Sequence, residues 1–299
     1  MRLDGPGSSN FEDRTGQGGG GSILGGGGGI LGLLVPLILS RFGIVGLLVL
    51  ALGYCALGGL GGGGILGGGG SSPTVQQGER NAASTLPAET RTFLTGVLGS
   101  TERVWAQVFS AAGQQYRPTV LTAYTGGTQT ACGAGRAAYG PFYCPGDQKI
   151  YIDPSFFNEL TQKFGAPGDF AQAYVIAHEV GHHVQNLEGT LDRASNAQRA
   201  AGEAQGNAIQ VGVELQADCY AGVWAKNARN PDGTPVLEQG DLEEGLTAAA
   251  AIGDDKLQSQ AGQSVRPESF THGSSQQRVE ALRRGYTSGN PASCNYNRV

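Results

Sequence analysis

The chain has 299 residues, enough for one or two domains, and carries 25 Asp and Glu against 20 Lys and Arg. With that mildly acidic balance and no long basic run or basic–aromatic stripe, nothing in the sequence points to a nucleic-acid groove. Its 52 glycines are concentrated before residue 71, so the chain divides into two unlike parts.

In the first part, residues 18–29 and 58–70 are nearly all Gly, Ser, Ile and Leu, a composition without a packable face. Between them lies an apolar block from Ile30 to Leu57, and Arg41 is the single charged side chain from residue 15 to residue 78. Ile30–Ser40 is too short to span a bilayer and is interrupted by Pro36, whereas Phe42–Leu60 offers 19 apolar or small residues, close to the ~20 a span requires. The expected organisation is a Gly-rich N-terminal region (1–29), a membrane segment (30–60, span about 42–60), a Gly/Ser-rich linker (61–79) and a globular domain (80–299). Arg2, Arg14 and Arg41 precede the span and no charge follows it until Glu79. The positive-inside rule then puts the N-terminus in the cytoplasm and the large domain outside. A cleaved signal peptide fits less well, because the apolar block starts only near residue 30. A buried core helix fits less well too, because flanking Gly tracts offer nothing to cover it.

Cys132, Cys144, Cys219 and Cys294 fall in the second part and allow three pairings. The local loop Cys132–Cys144 and the long link Cys219–Cys294 are the expected ones, in keeping with an oxidising compartment. No C-x-x-C spacing suggests a thiolate metal site.

Pro87 is placed to open a helix running to about residue 112 on Phe93, Val97, Val104, Trp105 and Val108. Thr119–Tyr124 and Lys149–Asp153 read as strands, the second ended by Pro154. Helices are expected over about 155–164, 169–188, 206–229, 241–258 and 274–286. A helix, a small sheet and then several helices make the domain α+β.

The chemistry lies on the helix expected to start near Asp169, whose carboxylate is placed to cap it. Phe170, Ala173, Tyr174, Ala177, Val180 and Val184 recur at helical spacing and should face the core. The motif His178-Glu179-Val180-Gly181-His182 puts two imidazoles one turn apart on one face, where both can bind a single zinc ion at ~2.0–2.1 Å. Glu179 is placed to take the proton of an attacking water and pass it to the leaving amine. Two histidines chancing to share a polar face is the bland alternative; with four His in the whole chain, chance H-E-x-x-H is rare. A catalytic zinc needs a third protein ligand. Glu214 and Asp218, four apart on an apolar-rich helix, supply a candidate ligand and a carboxylate to hold the other N–H of a zinc histidine. Taken alone, the two could equally be solvated carboxylates on an amphipathic helix. His183 points about 100° round the helix from His182 and is expected on the polar face.

The stretches Ile176–Gln185, Glu214–Trp224, Gly140–Asp153, Ala249–Asp255 and Ser269–Val279 together resemble the bacterial family of neutral zinc metallopeptidases. The resemblance covers roughly residues 80–295. It implies one N-terminal membrane helix and an extracytoplasmic zincin-like domain, with His178, His182 and Glu214 as zinc ligands and Glu179 as catalytic residue. It adds little about the substrate beyond protein or peptide. The long Gly-rich N-terminal region with Arg41 departs from that pattern. His272, in Thr271-His272-Gly273-Ser274-Ser275, looks similar to the His-Pro motif of membrane-embedded zinc peptidases, with Gly for Pro. It is a candidate oxyanion donor, or simply a helix-entry surface residue. Tyr151 is a weaker candidate for lining a substrate groove, an ordinary core-packed strand aromatic being the plainer reading. If its strand is an edge it can pair with an extended peptide. Two rival functions stand beside the peptidase: a zinc-binding scaffold of the cell envelope that does not cut, and a Gly-rich structural protein with an accidental motif.

Overall fold

The structure, a computed structural model, describes residues 1–17 and 83–296. The expected span at 42–60 lies outside the described residues, and among those described no helix is long and apolar enough to cross a membrane. The architecture is mixed, mostly helical with two small sheets, consistent with the expected α+β class.

In chain order the elements are β1 (Phe11–Asp13), α1 (Ala88–Ala111), β2 (Val120–Ala123), β3 (Gly127–Thr130), β4 (Gly133–Arg136), β5 (Phe142–Cys144) and β6 (Lys149–Ile152). The helices α2 (Phe156–Gln162), α3 (Asp169–Leu187), α4 (Thr190–Ala200), α5 (Glu203–Asn227), α6 (Asp241–Ala251), α7 (Asp254–Gln260) and α8 (Ser275–Ser288) follow. One sheet has the order β1-β2-β6-β5, parallel except for β5, and β3 and β4 form a separate antiparallel pair. The expected strand at Lys149–Asp153 is therefore interior, between β2 and β5, and the edges of the sheet are β1 and β5.

The compact unit takes up the chain from residue 81, next to the boundary expected at 80, and it also includes the N-terminus. Residues 1–17, assigned by sequence to a region separate from the domain, are part of it: β1 adds to β2 with Phe11 opposite Leu121 and Asp13 opposite Ala123. The triplet Phe-Glu-Asp has no apolar alternation, so periodicity gives no sign of this strand. Two further departures have local causes. The single helix expected over 241–258 breaks into α6 and α7 because Gly253 lies against α8, where a Cβ would sit 2.3 Å from the Ser275 nitrogen. Asp169 does not cap α3 with its side chain; the Phe170 N–H bonds instead to the Glu244 carboxylate at 3.0 Å. Helix α4 was not expected, since its sequence is polar and buries only Thr190 and Ala194.

The large core residues Trp105, Trp224, Tyr174, Phe170 and Leu98 are all but excluded from solvent. Phe170 stacks on Trp224 at 5.9 Å, joining α3 to α5, and Trp224 donates to the Ser100 hydroxyl of α1 at 3.1 Å. Helices α5 and α8 meet backbone to backbone: a Cβ at Gly222 would fall 2.1 Å from the Leu282 carbonyl, and one at Gly285 1.9 Å from that of Cys219. Glycine at both positions is what permits that crossing.

Both disulfides have the expected partners, Cys132–Cys144 over a separation of 12 residues and Cys219–Cys294 over 75. Closing the longer loop removes more unfolded-chain entropy. Replacing both Cys219 and Cys294 by Ser is expected to lower unfolding free energy by about 4 kcal/mol, against about 3 kcal/mol for the Cys132/Cys144 pair. Denaturant titration of the two double variants checks the order, and the reverse order would contradict it.

Candidate metal centre

Helix α3 presents His178 and His182 on one face, their rings 4.7 Å apart and edge to face. The glycine between them has a structural purpose, since a Cβ on Gly181 would stand 3.0 Å from the Cα and carbonyl oxygen of Ala217 on α5. That close approach sets Glu214, one turn earlier on α5, in front of both rings. Its Oε2 lies 3.2 Å from His178 Nε2 and 3.6 Å from His182 Nε2. Glu214 Oε1 accepts from Gln210 Nε2 at 2.8 Å, which leaves one oxygen for the histidines.

These distances test whether the residues suit a zinc ion. Ligand bonds of ~2.0–2.1 Å in tetrahedral geometry place donor atoms about 3.3 Å from one another. The two nitrogen–oxygen separations bracket that value, and the donor atoms of His178, His182 and Glu214 all lie within 4.8 Å of one another. Two neutral nitrogens and one carboxylate oxygen form a donor set suited to zinc, with room for a fourth ligand.

Behind the ligands the hydrogen bonds fix each ring. His178 Nδ1 donates to Asp218 Oδ1 at 2.8 Å, turning Nε2 towards Glu214. His182 Nδ1 donates to Gln185 Oε1 at 2.9 Å, and Gln185 is anchored through its amide on the Val213 carbonyl and Gln216. Asp218, fully buried, also accepts from the Tyr174 hydroxyl at 2.5 Å and from Arg278 through Nε at 2.9 Å and Nη2 at 3.0 Å. Neither Gln185, Tyr174 nor Arg278 was identified from the sequence as part of the site. Tyr174 reads as a core aromatic at helical spacing, and Arg278 sits 60 residues after Asp218 on α8, a pairing no local pattern reveals.

The charges follow from that packing. Burial alone would lower the pKa of His178, but the carboxylates of Asp218 and Glu214 raise it to about 10. His182 is raised in the same way by Glu214. Burial would raise Asp218, yet Arg278 and His178 hold it down at about 2, and Glu214 is held well below the usual carboxylate range by the two histidines. All four groups therefore favour their charged forms when no metal is present.

Glu179 lines a cavity of about 630 Å³ together with His178, His182, Glu214 and His272. His272 is half exposed at the mouth, and its loop hangs on Asp254, whose Oδ2 accepts the backbone N–H groups of Thr271, His272 and Gly273 at 2.7, 2.6 and 3.1 Å. Phe142 and Tyr143 of edge strand β5 form part of the wall. One expectation is corrected, that for His183; for Tyr151 the plainer reading, a strand aromatic packed on the core, is the one observed. His183 is not on a polar face: it is buried, donates from Nε2 to the Arg117 carbonyl at 2.6 Å and accepts the Tyr143 hydroxyl at Nδ1. Tyr151 does not reach the cavity: it is buried, stacked on Phe142 at 5.2 Å, with its hydroxyl donating to Asp147.

The sequence profile of the family described as "Putative neutral zinc metallopeptidase" matches residues 1–296. The chain belongs to this family. It is 44% identical over 289 residues to "Uncharacterized protein YpfJ" of Escherichia coli strain K12, covering 96% of this chain and 95% of that protein. It is 42% identical over 212 residues to "Uncharacterized protein Rv2575" of Mycobacterium tuberculosis strain H37Rv, covering 68% of this chain and 69% of that protein. No solved structure matches the chain. The family match begins at residue 1, in agreement with a fold that includes the N-terminal strand.

The two carboxylates of α5 should give distinct metal phenotypes in this metallopeptidase relative. Glu214→Ala removes one of the three candidate donors and is expected to abolish tight zinc binding, whereas Asp218→Ala removes only the support of His178 and should weaken affinity by about 10–100-fold. Zinc content after dialysis against graded chelator distinguishes them, and the opposite order would mean the third ligand is named wrongly. Because the neighbouring carboxylates raise the pKa values of His178 and His182 and zinc binds neutral imidazole, protons compete with the metal and affinity should fall as pH is lowered, by about tenfold per pH unit for each proton displaced. Zinc titrations at several pH values read that slope.

Proposed function

We propose that the chain is a zinc-dependent endopeptidase acting on the extracytoplasmic side of a membrane, with His178, His182 and Glu214 as metal ligands and Glu179 as general base. The observation that carries this reading is the tetrahedral spacing of the three donors in the same cavity as Glu179. A zinc ion held there would polarise a peptide carbonyl and acidify water. Asp218 and Gln185 orient the two imidazoles so that their Nε2 atoms converge. Glu179 takes the proton of the attacking water and delivers it to the leaving amine. His272, at the mouth of the cavity, donates a hydrogen bond to the oxyanion that forms. The edge of β5 offers its backbone to an extended peptide, so the substrate is a protein or peptide segment lying along the wall that includes Phe142 and Tyr143. The extracytoplasmic location rests on the two disulfides, which belong in an oxidising compartment. Attachment to the membrane is through the apolar block 30–60.

Activity and metal content, read side by side, test the assignment. Glu179→Gln is expected to keep full zinc and to lose nearly all cleavage of a peptide library. His272→Ala should keep zinc and lower kcat by about 10²-fold or more. A Glu179→Gln protein that cuts at the parental rate would end the mechanism. Zinc-loaded parent protein that cuts no peptide would instead favour the scaffold reading.

A further inference from the structure

Each of the three candidate donors has a polar partner behind it, and two of those partners are glutamine amides. An amide has an oxygen that only accepts and a nitrogen that only donates, so what it meets at one end decides what it offers at the other. Gln185 gives its Nε2 to the Val213 carbonyl at 2.8 Å, which turns its Oε1 towards His182 Nδ1 at 2.9 Å. The same logic runs in the opposite sense through Gln198 and Gln210. Gln198 Nε2 donates to the Gly206 carbonyl at 3.3 Å and to Gln210 Oε1 at 2.9 Å. With its oxygen taken in this way, Gln210 turns its nitrogen to Glu214, where Nε2 donates to Oε1 at 2.8 Å. A backbone carbonyl, which can only accept, thus sets the polarity of the whole relay.

Glu214 is buried, with 6% of its surface exposed, and a buried carboxylate is costly unless its lone pairs are engaged. Oε2 faces the Nε2 atoms of His178 and His182, and Oε1 is taken by Gln210. The last torsion of a glutamate is soft and roughly two-fold. Without the amide the carboxylate could turn and present either oxygen, or both, to the donor cluster. Gln210 stands four residues before Glu214 on α5, so helical geometry alone brings the two side chains together. Gln198 comes from α4, the polar helix that buries only Thr190 and Ala194. Both glutamines line the cavity. The relay therefore runs from a helix with little apolar contact, through the cavity wall, to a candidate metal ligand.

We propose that Gln210, its amide oriented by Gln198, is a positioning residue for Glu214: it holds Oε1 out of the donor set, so that the carboxylate meets the metal through Oε2 alone. The chain then supplies two nitrogens and one oxygen, which leaves a position for water on a zinc ion. Gln185 and Gln210 are two uses of one device, the first presenting its oxygen to a histidine N–H and the second its nitrogen to a carboxylate. Helix α4 gains a task that its packing does not suggest, since Gln198 is what fixes the sense of Gln210. This role rests on the three-donor centre of the proposed function and not on peptide cleavage.

The test uses the full chain, titrated with zinc and, separately, with cobalt(II), whose visible absorption reports the number and kind of its ligands. Methionine replaces each glutamine because it is unbranched, similar in length, a good helix former and without an amide. Gln210→Met is expected to raise the zinc Kd by about 10–100-fold and to change the cobalt spectrum. Gln198→Met touches none of the three donors, yet should raise the Kd by about 3–10-fold and move the cobalt bands in the same direction. Added to Gln210→Met, it should cost less than about twofold more, since the relay is already broken. Unfolding midpoints of the metal-free variants separate loss of fold from loss of ligand placement. A folded Gln210→Met chain with parental zinc affinity, one with an unchanged cobalt spectrum, or losses that multiply in the double variant would each overturn the proposal. Should Gln210→Met fail to fold, Gln198→Met decides alone, and parental affinity there would overturn it. A parent chain that binds neither ion would end the metal centre itself and this role with it, an outcome visible before any substitution is made.

Discussion

The carboxylate of Asp218 is the point on which the candidate site is built. Removing a charged carboxylate from water costs several kcal/mol, and the cost is offset only if its lone pairs are all engaged. Here they are engaged by groups from two other helices: His178 and Tyr174 on α3, and both nitrogens of the Arg278 fork on α8. Each bond has a length and an angle to meet, so the three helices have little freedom to slide. Glu214 is rigidly placed as a result, because it precedes Asp218 by one turn on the same helix. The small residues at the crossings work in the same direction. Gly181 opposite Ala217, and Gly222 opposite the Leu282–Gly285 turn, allow the backbones to come close enough for those short side chains to meet.

Arg278 also sets the charge of the centre. Without it, Asp218 and Glu214 would present two negative charges to the ligand cluster. With Asp218 neutralised by the bidentate guanidinium, the donor set offers the single charge of Glu214, so a divalent ion held by these residues would keep net positive charge. An ion left electron-poor is the stronger Lewis acid. Asp218 still raises the basicity of His178 through the Nδ1 hydrogen bond, as supporting carboxylates do. The arrangement thus firms up the ligand without saturating the charge of the site.

How much of this could be read from the sequence depends on how local the signal is. The pair His178/His182 and the pair Glu214/Asp218 are each four residues apart, and helical geometry alone puts each pair on one face. Both disulfide pairings and the strands at 120–123 and 149–152 were similarly accessible. What escaped is non-local or unpatterned. Arg278 meets Asp218 across a separation of 60 residues, and Gln185 reaches Val213 across 28. Helix α4 is polar overall, with two buried residues in eleven, so no broad apolar stripe announces it. Residues 1–17 lack both apolar alternation and an evident partner, and the Gly-rich stretch after them hides that they belong to the same compact unit as the helices. His183 misled for the opposite reason, since adjacency to a ligand suggested a polar face when the helix is buried nearly all round.

The sheet connects the two ends of that account. Strand β1, beside which the chain leaves at Gln17 and returns at Ser84, forms one edge of the order β1-β2-β6-β5, and the cavity wall at Phe142 and Tyr143 forms the other. Three strand spacings of ~4.8 Å put about 14 Å between those edges. The two edges of the sheet are thus three strands apart. Tyr143 ties the β5 edge to the helix of the two histidines, since its hydroxyl bonds His183, the neighbour of His182, and accepts from Asn186 one turn on. A peptide drawn along β5 would be held by the strand that also braces the helix of the two histidines.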